Sequence, residues 1–334
     1  MGYRGRVLLG LALCLALGAW AVSALDAHAV GSAFARCAAP WLLFAAVLDL
    51  AAFALRAAKL RVLLGSPPGL SYPAALRITF AGALATDLLP VRADELVRAH
   101  LVGARTGLPR ARVLGAIAVE RAIDTAGLGF VFAVAFALAP LPEWLVHGAL
   151  AIGAVGVALV LGCALARASL RLPSVLAEAQ RGAREAGGRA LGALWIGALE
   201  WTILSLMFAA LLRAFDAASA GPALAMLVAS FAVFACPLTP GAVGVYPAAV
   251  ASVLAWTGLE PATALSCAIA AHAVLLGTGG LAGAWSLAHE GLAVRDLAAL
   301  AGASAGAAPS DRDRAHGYTE ATPESACLVG ETTT

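Results

Sequence analysis

Residues 237–247 read PLTPGAVGVYP, three prolines and two glycines in eleven positions. The apolar runs on either side, ALAMLVASFAVFA (223–235) and AAVASVLAW (248–256), are each shorter than the ~20 residues a helix needs to cross a ~30 Å hydrocarbon core. Proline removes a backbone donor and glycine admits left-handed backbone, so a helix cannot run through this stretch unbroken. Peptide groups freed by the break cost several kcal/mol each in lipid, so such a turn survives only inside protein or beside a wet cavity. The stretch therefore predicts a re-entrant hairpin of segments 222–236 and 247–257 with a protein-buried tip.

The rest of the chain sets the context. Of 334 residues, 61% are hydrophobic and only 13% charged, against roughly 45–50% apolar usage in soluble domains. The pattern is that of an all-α, polytopic integral membrane bundle. Apolar length and breakers place segments near 7–25, 40–55, 73–89, 113–139, 144–166, 190–212 and 262–287 besides the two short ones. Arg4 and Arg6 ahead of VLLGLALCLALGAWAV and DAHA also fit a signal peptide, but the run from Val7 to Leu25 outlasts the usual ~7–15-residue signal core and reads as a retained first span.

Arginine and lysine decide the topology, because basic loops stay cytoplasmic. If 73–89 crossed fully, the loops 90–112 (Arg92, Arg98, Arg105, Arg110, Arg112) and 167–189 (Arg167, Arg171, Arg181, Arg184, Arg189) would oppose Arg4 and Arg6. If 73–89 dips in and returns, both loops join Arg4, Arg6, Arg56, Lys59 and Arg61 on the cytoplasmic side, leaving Arg36 and Arg213 outside. This gives about six full spans plus two re-entrant segments, one from each face, in a multi-pass protein of the cytoplasmic (inner) membrane with its N-terminus cytoplasmic. Residues 1–290 form the transmembrane domain. Residues 291–334 are small and polar without periodicity and read as a disordered cytoplasmic tail.

The chemistry sits where charge is expensive. VERAIDTAGLGF puts Glu120, Arg121 and Asp124 inside the fourth apolar run, close to mid-bilayer. Glu120 and Asp124 share a helix face and need a counter-charge, for which Arg121 is the obvious candidate. Upstream, an amphipathic stretch carries Arg92, Asp94, Glu95 and Arg98; Asp94 and Arg98 can pair locally, and Arg92 and Arg98 could present guanidinium groups to a lipid phosphate. Asp49, Glu200 and His272 are weaker candidates and fit satisfied interior residues. Gly279 and Gly283 fit helix packing. The six cysteines have no paired spacing, the histidines no HxxxH spacing, and there is no P-loop, so neither a metal, a cofactor, nucleotide nor nucleic-acid binding is expected.

The order LLPVRADELVR (88–98), RTGLPRARVLGAIAVERAID (105–124) and TPGAVGVY (239–246) resembles the lysylphosphatidylglycerol synthase transmembrane, or flippase-like, family over roughly residues 7–290. The resemblance puts Glu95, Arg98, Glu120, Arg121, Asp124, Pro240, Gly241 and Gly244 on the family's characteristic positions. The chain departs from the family pattern at Asp87, Asp94, Pro247 and His272, positions that bear on ion coupling and headgroup preference. The aminoacyl-transfer domain of the full-length synthases is not expected from residues 291–334, which are too few to bury a core.

These readings imply a lipid transporter rather than an enzyme, one that moves a polar-headed lipid between leaflets without ATP through a buried polar cavity. The lipid is a phospholipid or a polyprenyl-linked carrier, and the partners are that lipid, a second copy or a lipid-modifying enzyme. A membrane-embedded lipid transferase and an accessory scaffold are the alternatives. Protonation of Glu120 or Asp124 is a candidate coupling event.

Overall fold

The computed structural model of the protein describes residues 27–89, 94–165, 173–235 and 240–290. The expected first span, Arg92 and the tail lie outside these residues. The described residues contain no strand: the helices are α1 (Ala27–Ala35), α2 (Ala39–Leu64), α3 (Tyr72–Leu88), α4 (Asp94–Thr106), α5 (Arg110–Leu138), α6 (Glu143–Leu165), α7 (Ser174–Gly187), α8 (Ala190–Ala214), α9 (Ala220–Ala235), α10 (Val245–Trp256) and α11 (Pro261–His289). Among them, α2, α5, α8 and α11 are long and apolar enough to cross a membrane.

Local chemistry sets the ends of these helices. Gly65 takes a left-handed conformation (φ 76°) that closes α2. Ser71 accepts the Ala74 N–H at the start of α3, and the Glu260 carboxylate accepts the Ala262 and Thr263 N–H groups (2.9 and 2.8 Å) to open α11, each followed by a proline in the first turn.

The bundle has two distinct ends. At one, Arg189 donates to the Leu63 carbonyl (3.1 Å), Arg61 to the Leu70 carbonyl (2.9 Å), and Arg112 pairs with Glu185. At the other, the Ala38 N–H donates to the Ala214 carbonyl (2.8 Å), and Gly221 packs on the Leu138 carbonyl. Segments α3 and α4 leave the basic end and return to it; α9 and α10 leave the opposite end and return to that. The tips meet, since a Cβ on Gly241 would stand 3.4 Å from the Asp87 carbonyl oxygen. Two helical hairpins thus enter the bundle from opposite ends.

Two expectations need correction. The second apolar segment does not stop at 55: α2 continues to Leu64, and Lys59, counted above with the basic residues of the cytoplasmic side, is fully buried. The reason lies in its helical phase, because Ala45, Asp49, Ala52, Lys59 and Leu63 recur at steps of three, four and seven residues and share one buried face. The loop 167–189 is in its described part mostly α7, an amphipathic helix laid across the start of α5. The crossing is in backbone contact: a Cβ on Gly115 would fall on the Ala179 carbonyl and one on Gly182 on the Arg112 carbonyl. Gly283 plays the packing role expected of it, meeting Leu84 and the Phe80 carbonyl of α3.

At the basic end Glu290 ties three elements together, accepting from Arg77 of α3 (2.8 Å) and Arg105 of α4 just beyond the last turn of α11. Burial alone would raise this carboxyl, but the hydrogen bonds and charges of Arg105 and Arg77 outweigh it and hold it below its ordinary 4.5. A carboxyl depressed in the folded state stabilises fully above its unfolded value and loses that contribution as pH falls through its folded value. The melting-temperature gap between wild type and Glu290→Gln in detergent is therefore expected to be full above pH 4.5 and to close below it. A gap that does not change with pH would remove the ionic role.

Candidate functional site

The site is organised around α5. Glu120 lies roughly 15 Å along this helix at 1.5 Å per residue, and both it and its neighbours meet charges from other helices. Glu120, with no exposure, takes the Arg98 Nη2 of α4 at 2.6 Å. Arg121 turns to α4 as well, donating Nε to Glu95 (2.9 Å) and Nη2 to Asp94, with Asp124 3.5 Å from its Nη1. Asp124 also pairs with the buried Lys59 of α2, whose ammonium donates in addition to Glu200 of α8 at 2.6 Å. Arg56, one turn back on α2, completes the set with Nη2 3.0 Å from Glu200. Four cations (Arg56, Lys59, Arg98, Arg121) thus interleave with five carboxylates (Asp94, Glu95, Glu120, Asp124, Glu200) across α2, α4, α5 and α8. Buried charges persist only when paired in this way.

The network forms the charged wall of a cavity of about 250 Å³. Asp87, Arg98, Arg121, Asp124 and Glu200 line it directly, while Phe208, Phe231, Phe234 and Leu275 give it an apolar side. A further carboxylate, Asp49, lines it near Asp87 and accepts the Thr278 hydroxyl. Glu95 and Glu120 act through the arginines they hold. Trp201 closes one side, its indole flush against Gly127 of α5 and its ring 4.8 Å from Phe231. A further cavity of about 350 Å³ opens at the opposite end, lined by Arg36, Trp41, Arg213 and Asp216. Trp41 and Arg56 are fifteen residues apart on α2, roughly 22 Å along the helix axis.

The glycine–proline break sits below the α3 tip. Gly241 and Gly244 have φ of 59° and 77°, which only glycine adopts without strain, and Gly241 is buried. Ala242 shares the left-handed region (φ 53°). Pro240 opens this turn. His272 of α11 is not a cavity residue: its Nε2 donates to the Gly241 carbonyl (2.7 Å), and its ring stacks on Tyr246 at 4.6 Å. The Tyr246 hydroxyl in turn meets Ser230 Oγ at 2.7 Å and ties α10 to α9. His272→Phe keeps the stack and loses the hydrogen bond, so it is expected to cost about 1–3 kcal/mol through the orphaned carbonyl, measurable by thermal unfolding in micelles. Wild-type stability would show that the turn does not depend on it.

The structure thus brings together Glu95, Arg98, Glu120, Arg121, Asp124 and Glu200, and sets Gly241 and His272 apart as the anchor of the tip. Asp94 pairs more closely with Arg121 than with Arg98, whose Nη1 is 3.9 Å away. Arg56 and Lys59 are the members sequence reasoning missed, and the continued phase of α2 is the signal that marks them. No group of His, Cys, Asp and Glu able to hold a metal occurs among the described residues.

Comparison with curated proteins and with solved structures finds no significant match to either. The family model of the lysylphosphatidylglycerol synthase TM region matches residues 7–283, a span that contains α1–α10, most of α11, the charge network and both hairpins. The chain belongs to the lysylphosphatidylglycerol synthase TM region family.

Proposed function

We propose that this protein moves a polar-headed lipid between leaflets without ATP. The observation that carries the reading is the cavity itself, walled by ion-paired side chains on one side and by phenylalanines and leucines on the other. Such a lining accepts a charged headgroup and the start of its chains together, which an apolar bundle cannot do. The opposed hairpin tips beside it fit a midplane site of the kind transporters build from broken helices. In this reading α3–α4 and α9–α10 are re-entrant, six helices span fully with the N-terminal segment as the first, and the basic end is cytoplasmic in the inner membrane. The Arg36–Arg213 cavity then lies at the outer surface, where a headgroup arrives or departs.

Purified protein in liposomes carrying a headgroup-labelled phospholipid tests this directly. The expected result is equilibration of label between leaflets at a rate well above protein-free vesicles, with the lipid chemically unchanged. A covalently altered lipid would make the protein a transferase. An absence of exchange by well-folded protein would make it an accessory scaffold.

A further inference from the structure

The chain runs twice through one order of elements: a long helix, a hairpin and a helix of 29 residues, first as α2, α3–α4 and α5, then as α8, α9–α10 and α11. The first limb of each hairpin packs on the last helix of the other run, α3 on α11 and α9 on α5. Single positions correspond as well. Arg121 and His272 are each the twelfth residue of their helix, and each holds the second limb of its own hairpin, through Asp94 and Glu95 at the start of α4 and through the Gly241 carbonyl ahead of α10. Asp49 and Glu200 are each the eleventh residue, of α2 and α8, and both line the cavity.

Their compensation differs. Glu200 has two cations, Lys59 and Arg56. Asp49, 3% exposed, has the Thr278 hydroxyl on Oδ2, and its Oδ1 has no hydrogen bond among the described residues. Arg56, the cation that acts on Asp49, lies roughly 10 Å farther along α2. It is turned to Glu200 and to the Phe53 ring, 5.3 Å from the centroid. The other charge beside Asp49 is a like one, Asp87, which has neither a hydrogen bond nor an ion pair among the described residues. The two carboxyls meet over consecutive residues of α11: Asp49 holds Thr278, and a Cβ on Gly279 would stand 3.6 Å from Asp87 Oδ2. The C-terminal ends of α3 and α9 reach the same place, Asp87 in the last turn of one and Ala235 closing the other. Their unsatisfied carbonyls add partial negative charge. Like charges this close, walled by apolar side chains and lacking a cation, are not both retained.

We propose that Asp49 and Asp87 bind one proton between them, and that this proton is exchanged as the hairpin tips part. The site lies outside the ion-paired network, where Arg98 and Lys59 already answer Glu120 and Asp124. The remaining titratable groups around the pair are engaged: Tyr246 of α10 with Ser230, His272 of α11 with Gly241, and Asp94, Asp124 and Glu200 with cations. When the shared carboxyl O–H breaks, the proton passes to water in the cavity and two carboxylates remain. Their repulsion acts at the junction itself, since the Asp87 carbonyl is the group that faces Gly241 across the tips. Reprotonation from the other side of the membrane closes the cycle. The link to lipid movement rests on the transport reading; the proton site does not.

The test reads the proton and the lipid separately. Asp87→Asn keeps the shape of a protonated aspartate without a proton to lose, and Asp49→Asn does the same from the other member of the pair. A proton held by the folded state stabilises at low pH and ceases to do so as pH rises through its release. In detergent, the melting temperature of the wild type relative to either variant is therefore expected to fall by about 3 °C or more between about pH 5 and about pH 9. A difference that stays constant over that range would overturn the site. A shift that follows sodium at fixed pH instead would give the pair to a metal cation and overturn the proton. In liposomes carrying headgroup-labelled phospholipid, leaflet exchange is expected to vary with pH in the wild type and to lose that dependence in Asp87→Asn. The same pH profile in both would overturn the link between proton and lipid. Absence of exchange by protein that shows the melting shift would remove the transport reading and leave the proton site standing.

Discussion

Lys59→Met is expected to lower folding stability by about 3–5 kcal/mol, because it removes the cation that Asp124 and Glu200 share and leaves each buried carboxylate with a single arginine partner, Arg121 and Arg56. Lys59 has no exposed surface and, among the described residues, is the one side chain that bridges α5 to α8 through charge. Methionine fills nearly the same volume, so the loss is electrostatic rather than a cavity. The companion variant Lys59→Met with Asp124→Asn removes one charge of each sign. Glu200 then still has Arg56, and Arg121 still has Asp94 and Glu95. More than half of the lost stability should return. Unfolding by a denaturing detergent, followed by tryptophan fluorescence, gives both values; equal losses in the single and double variants would show that Lys59 acts by packing alone.

Gly182→Ala is expected to be the most damaging addition of a single methyl group. In an exposed helix the same change stabilises by up to about 1 kcal/mol. Here the new Cβ would fall on the Arg112 carbonyl oxygen, with the carbonyl carbon 2.7 Å away, and the atoms it meets are backbone. The α5–α7 crossing would have to open, pulling Gly115 off Ala179 and Arg112 off Glu185. Overpacking of this kind costs about 1–3 kcal/mol or more, so the clash decides the sign. Gly129→Ala on the same α5, with nothing within 4 Å of its new Cβ, is the control and should be neutral or mildly stabilising. Limited proteolysis within 174–187 reads the release of α7; equal resistance of both variants would show that the crossing tolerates separation.

The two hairpins and the cluster on α5 were legible in the sequence because each breaks a rule of the hydrocarbon interior. Prolines and glycines within PLTPGAVGVYP, and three ionisable residues within VERAID, have no place in an ordinary span, so their presence fixes a local geometry. Arginine counting gave the expectation that the hairpins enter from opposite faces, and their tips do meet inside the bundle. What stayed hidden is what pairs with what. Glu120 and Asp124 share a helix face, yet one is held by Arg98 and the other by Lys59, a choice made by how α2 and α4 pack rather than by spacing on α5. Arg56 and Lys59 were masked by a different effect: basic residues after an apolar run read as a membrane boundary, and only the phase of the buried face of α2 carries them inward. His272 looked like a lone interior polar group because its partner is a main-chain carbonyl thirty-one positions away, which no side-chain pattern can announce. The amphipathic α7 was lost in a loop whose arginines drew attention to charge rather than to its Gly182 contact.

The interleaved wall of four cations and five carboxylates constrains how the gene can change. Each member answers to partners on another helix, so a single replacement is punished until its counterpart changes too. Positions 98 and 120, 59 and 124, and 56 and 200 should therefore exchange as linked pairs among relatives, drifting together through neutral or inverted combinations. Divergence at this wall is expected to proceed in steps of two, and a lineage with one half of such a pair altered should carry its compensation across the helix boundary.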